Sequence, residues 1–144
     1  MSRSWLAALA AWRRDVFRPR SLGQRGEAAA ARYLKRLGCK IVARGERGRL
    51  GEIDLVAVDG RTVAFVEVKT RASQEAGNPA DAVDDDKQRR LTRLAMAFLK
   101  QHGLLEYPVR FDIVAVTWAA GRRKPQIEHF RGAFEAQGRE SMFS

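Results

Sequence analysis

The sequence predicts an α/β domain: a mixed central sheet flanked by helices on both faces, with core order αβββαββ and an extra N-terminal helix. Three observations predict it. Two alternating segments, Glu52 to Val58 and Thr62 to Thr70, are separated by Asp59-Gly60, the strongest short hairpin signal. Helical periodicity lies on both sides of that hairpin, at Ala28 to Leu37 and at Leu91 to Phe98. Two further segments, Arg110 to Trp118 and Gln126 to Phe130, read as strands after the second helix.

Each element follows from local chemistry. In residues 1–20, Trp5, Leu9, Trp12 and Val16 form one stripe of a short helix; Arg13, Arg14, Arg18 and Arg20 gather behind it, and Pro19 breaks it. A secretory signal has the reverse order, charge first and small residues last. The segment reads as a packed helix, a loose arm or an interfacial basic helix. The last is the least favoured, because one short helix with two tryptophans binds lipid weakly. Ser21 and Gln24 fit a capping box, good helix formers follow, and Gly38 stops the helix. Lys40 to Ala43 begins a strand, and the Gly- and Arg-rich stretch Arg44 to Arg49 reads as a loop. Asn78-Pro79 is expected to open the long second helix, with Asp84, Asp85 and Asp86 in its early turns, where negative charge suits the dipole. Leu91, Leu94, Ala95 and Phe98 form its buried stripe, and Gly103 ends it.

Composition narrows the class. At 144 residues and 45% apolar, the chain suits one folded domain, expected over 21–135 with a tail at 136–144. The longest near-apolar run, Trp5 to Trp12, is only eight residues, far short of a membrane span. One cysteine, Cys39, and two histidines, His102 and His129, exclude a disulfide and a cysteine–histidine zinc cage. A cytoplasmic protein is expected. Net charge is +10, and all of the excess lies early: residues 1–50 hold 13 basic and 3 acidic side chains, residues 51–144 hold 14 of each. Such asymmetry attracts phosphate polyanions or acidic membranes.

The hairpin carries the chemistry. With a two-residue Asp59-Gly60 turn, Val58 opposes Arg61, which puts Asp54, Glu67 and Lys69 on one face. Asp54 and Glu67 become diagonal neighbours at about 7–8 Å. The other face is Ile53, Leu55, Ala57, Thr62, Ala64, Val66 and Val68, and must be packed. Gathered carboxylates repel unless a cation lies between them. Two readings fit: a divalent-metal site, or a cluster salt-bridged by Lys69.

Gly51-Glu52-Ile53-Asp54, followed a dozen residues later by Glu67-Val68-Lys69, resembles the PD-(D/E)xK nuclease motif, with Ile53 where a proline is usual. Further strings narrow the match: Gly26-Glu27, Phe65 to Lys69 with Arg71, Gly77-Asn78-Pro79, Lys87 with Arg90-Leu91, and Arg110-Phe111-Asp112. This ordered series is similar to the YraN-like bacterial family, which resembles Holliday-junction resolvases. The resemblance implies a restriction-endonuclease-like fold and Mg²⁺- or Mn²⁺-dependent hydrolysis of DNA, with branched or junction DNA as substrate. It implies Asp54, Glu67 and the Val68 carbonyl as metal ligands, Glu27 as a further carboxylate, and Lys69 acting on the attacking water. Arg47, Arg71, Lys87 and Arg90 are the expected nucleic-acid contacts, and a second copy of the chain is a candidate partner. Oxygen ligands of this kind favour Mg²⁺ or Mn²⁺ over zinc.

Alternatives stand beside that reading. A nucleic-acid-binding adaptor without catalysis would use the same basic surface, and a membrane-associated protein would use residues 1–20. Asp85–Arg89 and Asp86–Arg90 suit helix ion pairs as well as phosphate contacts. Asp112 reads either as support for the site or as a buried hydrogen-bonded group, His129 as structural or a phosphate contact, and Cys39 as a small buried hydrophobe.

Overall fold

The computed structural model describes residues 21–48, 51–72 and 83–138. Helix α1 (Leu22–Arg36) starts at the expected capping box: the Ser21 hydroxyl accepts from Gln24 N–H, and the Gln24 side chain accepts from Ser21 N–H. Strands β1 (Lys40–Gly48), β2 (Gly51–Asp59) and β3 (Thr62–Arg71) follow, then α2 (Asp85–His102), β4 (Val109–Thr117) and β5 (Gln126–Phe134). The order αβββαββ is the predicted one. The helix expected within residues 1–20 lies outside the described residues.

The strands form a single mixed sheet in the order β1-β2-β3-β4-β5. Only β3 and β4 pair in parallel. A parallel pair needs a long crossover, and α2 lies in that connection. The two helices cover opposite faces. Ala29, Ala30, Ala31 and Leu34 of α1 pack with Leu55, Ala57, Ala64, Val66, Val114 and Val116. On the other face, Leu91, Leu94, Ala95 and Phe98 of α2, the expected stripe, pack with Val56, Val63, Phe65, Phe111 and Ile113. Cys39 is buried in the α1-side core. Among the described residues, no helix is long and apolar enough to cross a membrane.

Five local expectations are corrected. First, β1 does not end at Ala43; it continues through the Gly- and Arg-rich stretch to Gly48, paired with β2 from Leu55 to Gly51. The partner strand supplies a ladder that local composition does not reveal. Second, the hairpin turn is Gly60-Arg61, with Asp59 opposite Thr62 and Val58 opposite Val63. Gly60 has φ 63°, which glycine adopts without strain. The slip is two residues, so the side chains of the paired stretch, Leu55 to Asp59 and Thr62 to Val66, keep their faces. Third, α2 begins at Asp85 rather than at Asn78-Pro79, which lie outside the described residues. Its N-cap is Asp84, whose carboxylate accepts from Lys87 N–H at 2.9 Å. Fourth, β5 runs past Phe130 to Phe134 through a register shift. Fifth, Ile53 belongs to the α2-side core, not the face of Leu55. The far end of the β1–β2 hairpin leans over α2: a Cβ at Gly48 would lie 2.7 Å from Leu94 Cδ2.

Candidate functional site

The ladder between β2 and β3 closes at Leu55–Val66. Extending that register brings Asp54 opposite Glu67, but here the side chain of Asp54 takes over from the backbone. Its Oδ2 accepts from Val68 N–H at 2.8 Å. The N–H and C=O of a strand residue point to the same neighbouring strand, so the Val68 carbonyl also lies on the β2 side. α1 reaches this opening because Gly26 has no side chain; a Cβ there would lie 1.8 Å from Thr70 Oγ1. The contact sets the next residue, Glu27, over the site. Oxygens of Glu27, Glu52 and Asp54 all lie within 4.8 Å of one another.

Glu67 turns the other way. Its Oε1 accepts from Lys87 Nζ at 2.5 Å, across to the first turn of α2, and its side chain is only 12% exposed. Asp54 and Glu67 therefore flank the opening from its α1 and α2 sides rather than standing side by side on one face. Lys69, half-buried on β3 opposite Ala115, has no ion-pair partner among the described residues. The salt-bridged cluster around Lys69 that the sequence allowed is not formed; Lys87 takes that place.

The electrostatics are incomplete. Burial, then the charge of Glu67, push the Asp54 carboxyl up to about 8, opposed only by the Val68 N–H bond. Burial also raises Glu27, opposed by Arg44, whose Nε stands 3.4 Å from Glu27 Oε2. Among the described residues no cation touches Asp54. Hard carboxylate oxygens this close, with one carboxyl held largely protonated, suit a divalent ion.

Residues 26–116 match the family described as "Uncharacterised protein family UPF0102". A UPF0102 protein of Rhodopirellula baltica is 46% identical over 125 residues, covering 85% of this chain and 75% of that protein. One of Rhodococcus jostii is 49% identical over 114 residues, 79% of this chain and 96% of the relative. One of Geobacter sulfurreducens is 47% identical over 114 residues, covering 79% and 88%. The chain belongs to the UPF0102 family. This is the YraN family that the ordered motifs resemble.

The stretch matched to UPF0102 holds every carboxylate of the opening and both lysines beside it. The expected nucleic-acid contacts are less closely grouped. Lys87 lies at the site through Glu67. Arg90 is exposed one turn further along α2, and Arg71 ends β3 two residues beyond Lys69. Arg47, near the end of β1, is exposed and pairs with Glu52 at 3.3 Å. Arg89 pairs with Asp86, three residues back, so neither expected four-residue pair forms. Sequence reasoning missed Glu52 and Arg44. Glu52 could have been found, because a strand residue two before Asp54 lies on the same side. Arg44 could not, since the stretch containing it read as a loop.

Asp112 resolves in favour of its buried reading. Fully buried, it accepts from Arg110 Nε at 2.8 Å and Nη2 at 3.0 Å, from Gly132 N–H at 3.0 Å, and bonds His129 Nε2 at 2.8 Å. Burial alone would raise its carboxyl; the bonds from Arg110, Gly132 and His129 outweigh it and hold it below the usual range. His129 in turn contacts the Tyr33 hydroxyl through Nδ1 at 3.4 Å, a structural position.

Proposed function

We propose that this UPF0102 protein is a Mg²⁺- or Mn²⁺-dependent endonuclease that hydrolyses DNA phosphodiester bonds at branched or junction structures, on a restriction-endonuclease-like version of the α/β fold. The observation that carries the reading is the opening between β2 and β3. There, oxygens of Glu27, Glu52 and Asp54 converge within 4.8 Å, with Glu67 and the Val68 carbonyl on its other margin. Arg44 pairs with Glu27 and Arg47 with Glu52, but half-buried Asp54 stands among like charges with no cation on it among the described residues, a costly arrangement that a bound cation would relieve.

The roles follow from position. Asp54, with Glu27 and Glu67, holds the ion, Val68 offers its carbonyl, and Glu52 adds an oxygen from the rim. When bound, such an ion lowers the pKa of a coordinated water and offsets charge on the phosphate. Lys69, half-buried and without an ion-pair partner among the described residues, orients the attacking water and donates to the phosphate as negative charge builds. Lys87 balances Glu67 and lies, with Arg90, Arg71 and Arg47, where flanking phosphates pass. DNA as substrate agrees with the basic excess, and the reading implies a cytoplasmic protein; two copies of the chain would suit a symmetric junction.

The test is a panel of single-stranded, duplex, flap and four-way-junction DNA incubated with Mg²⁺, Mn²⁺ or chelator. Cleavage that needs the metal, and that Asp54→Asn and Lys69→Ala each cut by about 100-fold or more while both variants stay folded, is the expected result. If the wild type neither cleaves nor gains thermal stability with either metal, the adaptor reading replaces this one.

A further inference from the structure

The C-terminal ends of β3 and β4 finish in a rim that hydrolysis itself does not use. Trp118 N–H donates to the Arg71 carbonyl at 3.0 Å, so the residue after β4 stands beside the last residue of β3. Lys69 pairs with Ala115, three residues before Trp118, so three residues along a strand and one strand spacing put the two backbones roughly 11 Å apart. The indole is half-exposed, packs on the α1-side core, and carries the Arg25 guanidinium 4.8 Å from its ring centroid. Its Nε1–H donates to the Arg123 carbonyl at 3.4 Å, which folds the β4–β5 turn back beside the ring.

That turn is one-signed. Arg122, Arg123 and Lys124 are exposed and consecutive, and no acidic residue occurs between Asp112 and Glu128. None of the three has an ion-pair partner among the described residues. The first turn of α1, which supplies Arg25, holds no acid either. A solvated turn usually mixes signs; three adjacent cations next to the positive end of a helix set up a field that suits a phosphate chain. The aromatic ring adds a requirement. An indole with a guanidinium over it is a stacking platform, and only bases that are not stacked inside a duplex offer it a free face.

We propose that Trp118, Arg25 and the Arg122–Lys124 turn bind an unpaired DNA strand leaving the metal carboxylates, so that the substrate carries a single-stranded segment beside the bond that is cut. This deepens the endonuclease reading and rests on it for the direction of the strand; the binding itself is measured without cleavage. The chain has three tryptophans, so full-length protein carrying Trp5→Phe and Trp12→Phe reports from Trp118 alone. In chelator and low salt it is titrated with a thymidine oligonucleotide and with a blunt duplex of equal length.

The expected result is saturable quenching of Trp118 by the single strand, at least tenfold tighter than by the duplex. Replacing Arg122, Arg123 and Lys124 by alanine should lower the log–log salt slope by about 2, at roughly 0.7 per phosphate contact on a single strand. By anisotropy of a labelled oligonucleotide, Trp118→Ala should weaken binding about tenfold, while Trp118→Phe keeps most of it. An emission that DNA leaves unchanged, equal response to duplex, or an unaltered slope in the triple variant overturns the proposal. Strand binding without cleavage of any substrate supports the rim and removes the nuclease reading; duplex cleavage without quenching does the reverse.

Discussion

Asp54 and Asp112 are aspartates of one sheet, the first half-buried and the second fully buried, and their surroundings could hardly differ more. Leu55, next to Asp54, pairs with Val66 of β3, and Val66 pairs with Asp112 of β4, so the two acids are roughly 10 Å apart. Asp112 is surrounded by donors: two guanidinium nitrogens, a backbone N–H and an imidazole. Asp54 has one backbone N–H and faces Glu27, Glu52 and Glu67. One carboxyl is held below its usual range and the other is pushed up to about 8. Desolvation pushes both carboxyls up, so it does not set the two acids apart. The sign of the neighbours does.

Replacing each acid should therefore move stability in opposite directions. The largest effect belongs to Asp112. Asp112→Ala leaves Arg110 with Asp59 alone, at 3.0 Å, and strands the Gly132 N–H and His129. A loss of about 3–5 kcal/mol is expected in urea unfolding. A loss under 1 kcal/mol would mean that the network is no more than decoration.

Asp54→Asn should stabilise the metal-free protein, by about 1–2 kcal/mol at pH 8 to 9. The folded carboxyl titrates near 8 against 3.8 unfolded, so between those values the native state holds the extra proton. Stability of the wild type falls as pH rises through that window, and the asparagine variant escapes the fall. Melting curves from pH 4 to 9 in chelator should show the gap opening across this range and levelling above it. A variant that melts earlier at every pH contradicts the contrast drawn here.

The same proton bears on the proposed metal loading. Because binding must displace it, the apparent Mg²⁺ affinity should rise by up to about tenfold per pH unit toward 8 and then flatten. Isothermal titration in two buffers of different ionisation enthalpy measures the proton released. The smallest effect lies at the outer edge of the Asp112 network. Tyr33→Phe removes a 3.4 Å contact to His129 and should cost about 0.5–1 kcal/mol, read from the same urea curves.

What the sequence revealed depended on whether the deciding interaction was local. The capping box at Ser21 and Gln24, the stripe of α2 and its Gly103 stop are written within a few residues, and each is found where expected. The order of elements was legible for the same reason. The extension of β1 through Gly48 was not, because its support comes from β2 across the ladder. The hairpin turn was placed two residues early, and the end of the ladder at Leu55–Val66, which leaves Asp54 free to bond Val68 N–H, was not visible. At the site, the acids were visible as a motif. The partner of Glu67 was not: Lys87 is twenty residues away and reaches it only because α2 crosses between β3 and β4.

The parallel pairing of β3 with β4 also governs when the site can exist. Every carboxylate of the opening lies between residues 27 and 67, so a ribosome delivers all of them before it reaches β4. Yet the core under α1 needs Val114 and Val116, and β3 finds its second neighbour only once residues 109–117 have emerged. Until then Glu27 is set over Asp54 only by the contact of Gly26 with Thr70 and by Arg44, without the β4 side of the core beneath them. The core that carries the opening is thus completed by a contact that synthesis supplies late.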